Sequence, residues 1–256
     1  MKKIYLWENP PYISYTDNSF RPSITEFKVN DSKTAVIVCP GGGYLGKAHH
    51  EGAPIAEMFN ENGINAFVLD YNVKPCHKFA PLSDIQRAIR TVRSLGYEKV
   101  ATLGFSAGGH LCATSGTLYN FDAYEKTDDI DKLNARPDAF MPCYPVITFG
   151  EQYSHKGSRM ALLGDEHEDP ALIKMFSNEK NITKDTPPCF MWHTTEDDLV
   201  PPNNCLILAQ ALGEHGIPYE LHIYPHGCHG LGLAYDRKDV GTWSKNAVIF
   251  LRELGF

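Results

Sequence analysis

The chain has 256 residues, of which 43% are hydrophobic, and its formal net charge is −7 at pH 7. A chain of this size and composition can bury one sizeable core, so we expect a single domain over residues 1–256. Lys and Arg form no basic stripe that could neutralise the phosphates of a nucleic acid. We therefore expect no nucleic-acid partner. No window approaches the ~18 consecutive apolar residues of a membrane span, so we expect no membrane partner either.

The seven cysteines stand far apart and form no C-x-x-C pair. Several fall in apolar runs, where a free thiol behaves as a small hydrophobe. This pattern favours a reducing compartment and argues against a thiolate metal site. The first residues lack the apolar stretch of a secretory signal. We therefore predict a cytoplasmic location and no bound metal.

Residues 1–33 are polar and contain proline, which predicts an N-terminal edge segment that is either an antiparallel hairpin or a loose arm. Residues 34–256 form the predicted core. Six short apolar runs there are typical of strands buried on both faces: 34–39, 66–70, 100–103, 139–146, 189–193 and 219–224. Apolar residues at helical spacing alternate with these runs, at 55–59, 82–92, 205–212 and 243–254. This order predicts an α/β fold with a mostly parallel central sheet and helices on both faces.

Residues 150–187 do not fit the alternation. They are charged and only weakly periodic, around Leu172, Met175 and Phe176. We interpret them as an excursion over the loop end of the sheet, which either shapes a substrate pocket or is a solvated connection. Parallel sheets carry their functional loops at the carboxyl ends of the strands, so candidate site residues belong there.

The third predicted strand leads directly into the G-x-S-x-G motif Gly104-Phe105-Ser106-Ala107-Gly108, and a helix is predicted to follow. The motif needs this strand–turn–helix setting, in which a strained turn exposes the serine hydroxyl as a nucleophile. Glycines flank the serine because a side chain two residues away would collide with neighbouring backbone. The start of the helix directs N–H groups and a partial positive charge at an oxyanion. Ser106 is therefore the candidate nucleophile.

The first core strand ends in Pro40-Gly41-Gly42-Gly43-Tyr44. Glycines let backbone N–H groups approach a substrate carbonyl closely. We predict an oxyanion hole made of the N–H groups of Gly42, Gly43 and Ala107, with Pro40 in the place of the His of an HGGG-type loop. The spacings of a P-loop and of a dinucleotide-binding fingerprint are absent.

Two later loops supply a candidate acid and base. The run Glu196-Asp197-Asp198 follows a predicted strand, and one of these carboxylates can orient an imidazole, although spacing alone leaves open which. His226 and His229 lie in a Gly-rich loop after the last strand. A base that moves a proton between serine and leaving group fits this setting, and half of a metal site is the alternative.

Together, these motifs resemble the small α/β-hydrolases of the esterase and acetyl-xylan-esterase-like kind, often labelled lipase or acetylesterase. The matching stretches are CPGGGY at 39–44, HEGAPIAEMFNENGINAFVLDY at 50–71, PLSDIQRAIRTVRS at 81–94, GFSAGGHLCA at 104–113, PPCFMWHTTEDDLVPP at 187–202 and HGCHGLGLA at 226–234. In the family's pattern the acid stands three residues before the Val of a Val-Pro pair, which is Asp197. The base is the His of the Gly-rich loop, which is His229. The chain order Ser, Asp, His is that of the α/β-hydrolase fold.

The resemblance implies an α/β-hydrolase fold and hydrolysis of short acyl esters without a cofactor. Acetyl groups on sugars such as xylan-derived oligosaccharides are the leading expectation, so the predicted partner is a small-molecule or oligosaccharide ester. We predict that Tyr44, Phe105 and Leu231 line the substrate pocket, with core packing as the alternative. The same triad also serves an amide or formamide hydrolase or a peptidase. A binding protein without turnover is a further alternative, which the presence of all three catalytic residue types disfavours.

Overall fold

The computed structural model describes residues 1–12, 20–150 and 152–256. Eight strands form one sheet: β1 (Lys2–Tyr5), β2 (Ser23–Phe27), β3 (Thr34–Cys39), β4 (Asn65–Asp70), β5 (Lys99–Phe105), β6 (Ala139–Cys143), β7 (Cys189–Thr194) and β8 (Tyr219–Tyr224). Their order across the sheet is β1-β2-β4-β3-β5-β6-β7-β8. The pairs β1/β2 and β2/β4 are antiparallel, and all later neighbours are parallel. The predicted mostly parallel sheet is confirmed.

The helices that cover the sheet are α1 (Ala53–Glu61), α2 (Ala80–Ser94), α3 (Ser106–Thr117), α4 (Lys156–Leu163), α5 (Pro170–Met175), α6 (Asn203–Glu214) and α7 (Thr242–Glu253). Successive residues of a strand face opposite sides of a sheet, and β3 shows this division. Ile37 packs in a cluster with α2 and α3, whereas Val36 and Val38 pack in a second cluster with α1 and α7. Residues of α6 form a third cluster with Met191 of β7. Helices therefore lie on both faces, as predicted.

The N-terminal segment contributes β1 and β2, which form the antiparallel edge of the sheet. Ile24 of β2 is fully buried and packs in the cluster that holds α2. Arg87 of α2 reaches the same region, where its Nε donates to the carbonyl of Leu6 over 2.8 Å. Of the two alternatives for residues 1–33, the structure shows the hairpin in the described part of this segment.

The excursion of residues 150–187 contains α4, α5 and short 3-10 turns. Leu162, Leu163 and Phe176 are buried in the cluster that also holds residues of α2 and α3. The segment therefore packs against the helical layer beside the nucleophile's helix instead of running through solvent as a simple connection. None of the helices in the described parts of the chain is long and apolar enough to cross a membrane.

The strand predicted at 139–146 ends three residues earlier, at Cys143. Tyr144 has a φ of 33°, in the left-handed region, and Pro145 follows it. Neither conformation continues a strand, since proline lacks the N–H that a ladder needs and a left-handed residue turns the chain. The turn directs the chain at Tyr144 into the loop edge of the sheet, beside the ends of β5 and β7.

Candidate active site

Ser106 stands at the sharp turn between β5 and α3. Its φ is 54°, a conformation that costs a non-glycine residue free energy and persists only where its surroundings impose it. Phe105 before it is extended, and α3 begins at Ser106 itself. The side chain is thereby held at the carboxyl end of β5, next to the amino-terminal end of a helix, as the sequence predicts for a nucleophile elbow.

The glycines around Ser106 are required by close backbone packing. A Cβ on Gly104 would lie 2.1 Å from the carbonyl oxygen of Gly108, and one on Gly108 would lie 2.2 Å from that of Cys39. A Cβ on Gly41 would lie 2.6 Å from the Phe105 carbonyl oxygen and 3.1 Å from the Ser106 Cβ. Real Cβ atoms essentially never lie within 3.0 Å of such atoms, so none of these three glycines can carry a side chain unless the backbone shifts. The turn is thus pressed directly against the end of β3, which carries the glycine loop.

Ser106, His229 and Asp197 form one line of hydrogen bonds. The Ser106 hydroxyl donates to His229 Nε2 over 2.8 Å, and His229 Nδ1 donates to Asp197 Oδ2 over 2.6 Å. The acid comes from the loop after β7 and the base from the loop after β8, so three distant parts of the sequence meet at one edge of the sheet. The structure brings together all three residues of the predicted triad.

Asp197 is held from both sides of its carboxylate. While Oδ2 accepts from His229, Oδ1 accepts the backbone N–H groups of Val200 at 2.9 Å and Leu199 at 3.1 Å. Burial acts to raise the pKa of Asp197, but the hydrogen bonds from His229 and Val200 and the charge of the histidines outweigh it. The pKa of this carboxyl is consequently below its usual value, and it stays ionised as the partner of the imidazole.

Of the three carboxylates after β7, Asp197 is therefore the one bonded to His229, and Glu196 has a different partner. His226 Nδ1 donates to Glu196 Oε1 over 2.8 Å, and the Gly227 N–H donates to Oε2 over 2.9 Å. Two histidine–carboxylate pairs thus connect the loop after β7, which we call the acid loop, with the loop after β8, which we call the base loop. Within the described residues, no three His, Cys, Asp or Glu side chains converge on a metal-binding arrangement.

The glycine loop after β3 curls back on itself. Gly42 and Gly43 have φ values of 138° and 66°, and the Gly42 carbonyl accepts from the N–H groups of Leu45 and Gly46. The Gly41 N–H donates to Glu51 Oε2. Among the described residues, the N–H groups of Gly42, Gly43 and Ala107 donate no hydrogen bond to a backbone carbonyl of a turn or loop or to a side chain. The three predicted donors are therefore available to a ligand, whereas the Gly41 N–H is occupied.

Two histidines beside the site are fully buried. His110, in α3, accepts from the Tyr44 hydroxyl at Nδ1 and donates from Nε2 to the Phe176 carbonyl, and it stacks on Phe149. His193, at the end of β7, places Nε2 3.9 Å from Asp197 Oδ2. Burial lowers the pKa of both His110 and His193 to about 4. Both imidazoles are therefore neutral near pH 7.

The predicted pocket residues are placed differently from one another. Tyr44 is 1% exposed, with its hydroxyl bonded to His110, and Phe105 is completely buried against Tyr144 and Trp243. Both side chains belong to the core instead of an open pocket wall, because the turns that carry Tyr44 and Ser106 direct them inward. Leu231 lies within the loop that carries His229 and is partly buried.

Sequence reasoning did not single out Glu51 and Tyr144. Glu51 lies in a 3-10 turn, and Tyr144 lies just beyond the end of β6. The two are joined by a hydrogen bond of 2.6 Å, and the Tyr144 ring packs edge-on against the His229 ring at a centroid distance of 5.1 Å. The one available sequence signal was an acidic residue directly after the two histidines that follow the glycine loop.

A mostly parallel sheet with a Ser–His–Asp arrangement at its carboxyl edge defines the α/β-hydrolase class. The BD-FAE family profile matches residues 24–212, and the chain belongs to this family. It is also similar to the crystal structure of an acetyl ester-xyloside bifunctional hydrolase from Caldicellulosiruptor lactoaceticus. That comparison gives a TM-score of 0.91 and 43% identity, and it covers 100% of this chain and 97% of the other.

Two curated proteins are similar in sequence. One is Endo-1,4-beta-xylanase B of Butyrivibrio fibrisolvens, 37% identical over 93% of this chain and 39% of its own length. The other is an Acetylxylan esterase of Xylanibacter ruminicola, 32% identical over 88% of this chain and 45% of its own length. The chain therefore spans less than half the length of either curated relative.

The packing at the nucleophile turn predicts that Gly108→Ala is far more damaging than Gly46→Ala. The added methyl group at Gly108 meets the backbone of Cys39 and Pro40, whereas a Cβ on Gly46 would have no atom of the other described residues, its chain neighbours aside, within 4 Å. We expect Gly108→Ala to lower the free energy of unfolding by about 3 kcal/mol or more, since overpacking against backbone cannot relax. Urea denaturation measures this, and equal stabilities of the two variants would contradict the packing described.

The buried histidines predict a loss of stability in acid. Because the folded pKa of His110 and His193 is about 4, below the usual 6.5, the unfolded chain binds more protons between these values. The free energy of unfolding should therefore fall as the pH drops from about 6.5 to about 4. In His193→Asn this fall should be smaller than in wild type. His215→Asn, at a more accessible histidine, serves as the control, and an unchanged pH dependence in His193→Asn would refute the prediction.

Proposed function

We propose that the chain is a serine esterase that removes short acyl groups, acetyl in particular, from esters of sugars and xylo-oligosaccharides. The observation that carries this proposal is the continuous line from Asp197 through His229 to the Ser106 hydroxyl, with unoccupied backbone N–H groups beside it. Nucleophile, base and orienting acid are within hydrogen-bonding distance of one another, as acyl transfer requires.

In the acylation step, His229 Nε2 accepts the proton of Ser106 as Oγ attacks the ester carbonyl carbon. Asp197 holds Nδ1–H of the same ring, so the tautomer with a free Nε2 is favoured and the imidazolium that forms is stabilised. The C–O bond to the alcohol then breaks, and His229 returns its proton to the departing oxygen. Ser106 is left acylated.

Water completes the cycle. His229 again accepts a proton, now from a water molecule that attacks the acyl carbon, and the carboxylic acid leaves as the proton returns to Ser106 Oγ. In both steps, negative charge develops on the former carbonyl oxygen. The N–H groups of Gly42, Gly43 and Ala107 are our candidates to bind it, assisted by the amino-terminal end of α3.

Relatives and local structure both support a sugar ester as substrate. Two of the similar proteins are named for acetylxylan or acetyl ester hydrolysis. In the excursion, His155 caps α4 by accepting from the Ser158 N–H, and the charges of His229 and Asp197 both act on its pKa. Burial, and then the charge of His229, lower the pKa of His155. A neutral imidazole with one ring nitrogen engaged in the cap offers a donor suited to a sugar hydroxyl.

The test is a comparison of wild type, Ser106→Ala and Ser115→Ala with a chromogenic acetate ester. Ser115 lies in the same helix, but its hydroxyl bonds Thr102 and the Cys112 carbonyl, so the same substitution there should leave turnover intact. We expect Ser106→Ala to lower kcat by about 10⁴-fold or more. Near-normal turnover in Ser106→Ala would rule out the assigned nucleophile.

A second experiment, a panel of substrates tested on the wild-type protein, distinguishes ester hydrolysis from the alternative substrate classes. We expect acetylated xylo-oligosaccharides and aryl acetates to give the highest kcat/KM, above butyrate and longer esters. An aryl formamide, a peptide anilide and an aryl xyloside complete the panel. The xyloside is included because the similar Caldicellulosiruptor protein is described as bifunctional. A preference for the formamide or the anilide over every ester would overturn the proposed substrate class.

A further inference from the structure

Glu51 is a buried carboxylate that the proposed triad does not use. The residue is 2% exposed and ends a 3-10 turn, His49–Glu51, between the glycine loop and α1. Its Oε2 accepts the N–H of Gly41 over 2.7 Å. A carboxylate removed from water must be compensated by donors, and this contact fixes the first glycine of the loop in one orientation. The candidate oxyanion donors Gly42 and Gly43 follow directly.

The other oxygen of Glu51 contacts Tyr144. The Tyr144 hydroxyl donates to Glu51 Oε1 over 2.6 Å and accepts the N–H of Gly232 over 2.9 Å. Tyr144 is 1% exposed, and its backbone is held in the left-handed region. The hydroxyl is therefore satisfied as both donor and acceptor, between the turn that carries Glu51 and the loop that carries His229.

The base loop is secured by neighbouring contacts as well. His50, next to Glu51, bonds the Gly230 carbonyl through Nε2 at 2.9 Å, and Trp243 Nε1 donates to the Gly232 carbonyl at 3.0 Å. The Tyr144 ring also lies edge-on to the His229 ring, with an interplanar angle of 71°. The side chains of the turn His49–Glu51 thus contact the glycine loop on one side and the loop that carries His229 on the other.

We propose that Glu51 and Tyr144 are positioning residues. They hold the glycine loop after β3 and the loop that carries His229 in fixed positions relative to each other. The inference rests on the proposed function and deepens it. Neither side chain forms a hydrogen bond with Ser106, His229 or Asp197, and the contact of Tyr144 with His229 is between the two rings. The chain of contacts runs from the Gly41 N–H through Glu51 and Tyr144 to the Gly232 N–H, three residues beyond His229. Acyl transfer needs both loops placed correctly at once, and small misplacements are costly in rate.

The chemistry of this connection specifies the informative substitutions. Glu51→Gln keeps the shape of the side chain but offers one acceptor oxygen, so either Gly41 or Tyr144 loses its acceptor. Tyr144→Phe keeps the ring against His229 and removes the hydroxyl, which leaves Glu51 and the Gly232 N–H each without one partner. The two variants break the same connection at different bonds.

For both variants we expect kcat with a chromogenic acetate ester to fall by about 10-fold to 100-fold, while KM changes by less than about 3-fold. The rate at which a fluorophosphonate labels Ser106 should fall in parallel, since phosphonylation also needs the base and an oxyanion site. The double variant should lose little more than the worse single variant, because residues of one connected unit are not additive.

Tyr124→Phe is the matched control. That hydroxyl is also buried and also bonds a carboxylate, Asp131, at 2.6 Å, while it accepts from Arg90 of α2 at 2.7 Å. Its partners lie outside the loops of the site. We expect this variant to lose thermal stability with an unchanged kcat per labelled serine.

The outcomes separate this inference from the proposed function. Turnover that survives in Ser106→Ala refutes the nucleophile, whatever happens at Glu51. If Ser106→Ala is inactive but Tyr144→Phe and Glu51→Gln keep wild-type kcat and labelling rates per folded molecule, the positioning role is refuted. A fall in thermal stability alone, as in Tyr124→Phe, also refutes it. If Glu51→Gln does not fold, Tyr144→Phe decides the question by the same criteria.

Discussion

Three backbone segments meet at the Ser106 turn without room for a side chain between them. Gly104 and Gly108 approach each other's backbone, and Gly108 also touches the end of β3. This steric constraint imposes the unusual φ of Ser106 and sets the glycine loop beside it. Because the strands of the sheet are parallel, the loops after β7 and β8 end at the same edge and bring Asp197 and His229 into line. The whole site depends on that contact between backbones.

Carboxylates then fix the loops relative to one another. Asp197 pairs with His229, Glu196 pairs with His226, and Glu51 joins Gly41 to Tyr144. Two of these acids are buried, where a hydrogen bond to an ionised group is stronger and an unpaired charge is more costly than at the surface. Loops without regular secondary structure can thereby be held with the accuracy that acyl transfer demands.

Much of this arrangement follows from the sequence, because the signals are local. Apolar runs located β3 to β8, and Gly-x-Ser-x-Gly between strand and helix located the nucleophile turn. The resemblance to esterases selected Asp197 among three adjacent carboxylates, which spacing could not do. The predicted strand at 139–146 was too long because the apolar pattern does not show that Tyr144 turns left-handed and gives no weight to Pro145, which cannot donate to a ladder. Glu51 was missed because its partners, Gly41 and Tyr144, lie 10 and 93 residues away, and only the fold reveals them.

The most direct measurement is a crystal structure of the protein after reaction with a phosphonate that mimics the tetrahedral intermediate. We expect phosphorus bonded to Ser106 Oγ and one phosphonyl oxygen at about 2.7–3.1 Å from the N–H nitrogens of Gly42, Gly43 and Ala107. His229 Nε2 should lie within hydrogen-bonding distance of Oγ or of the leaving-group oxygen. A phosphonyl oxygen directed away from all three N–H groups, or phosphorus on another residue, would contradict the proposed site.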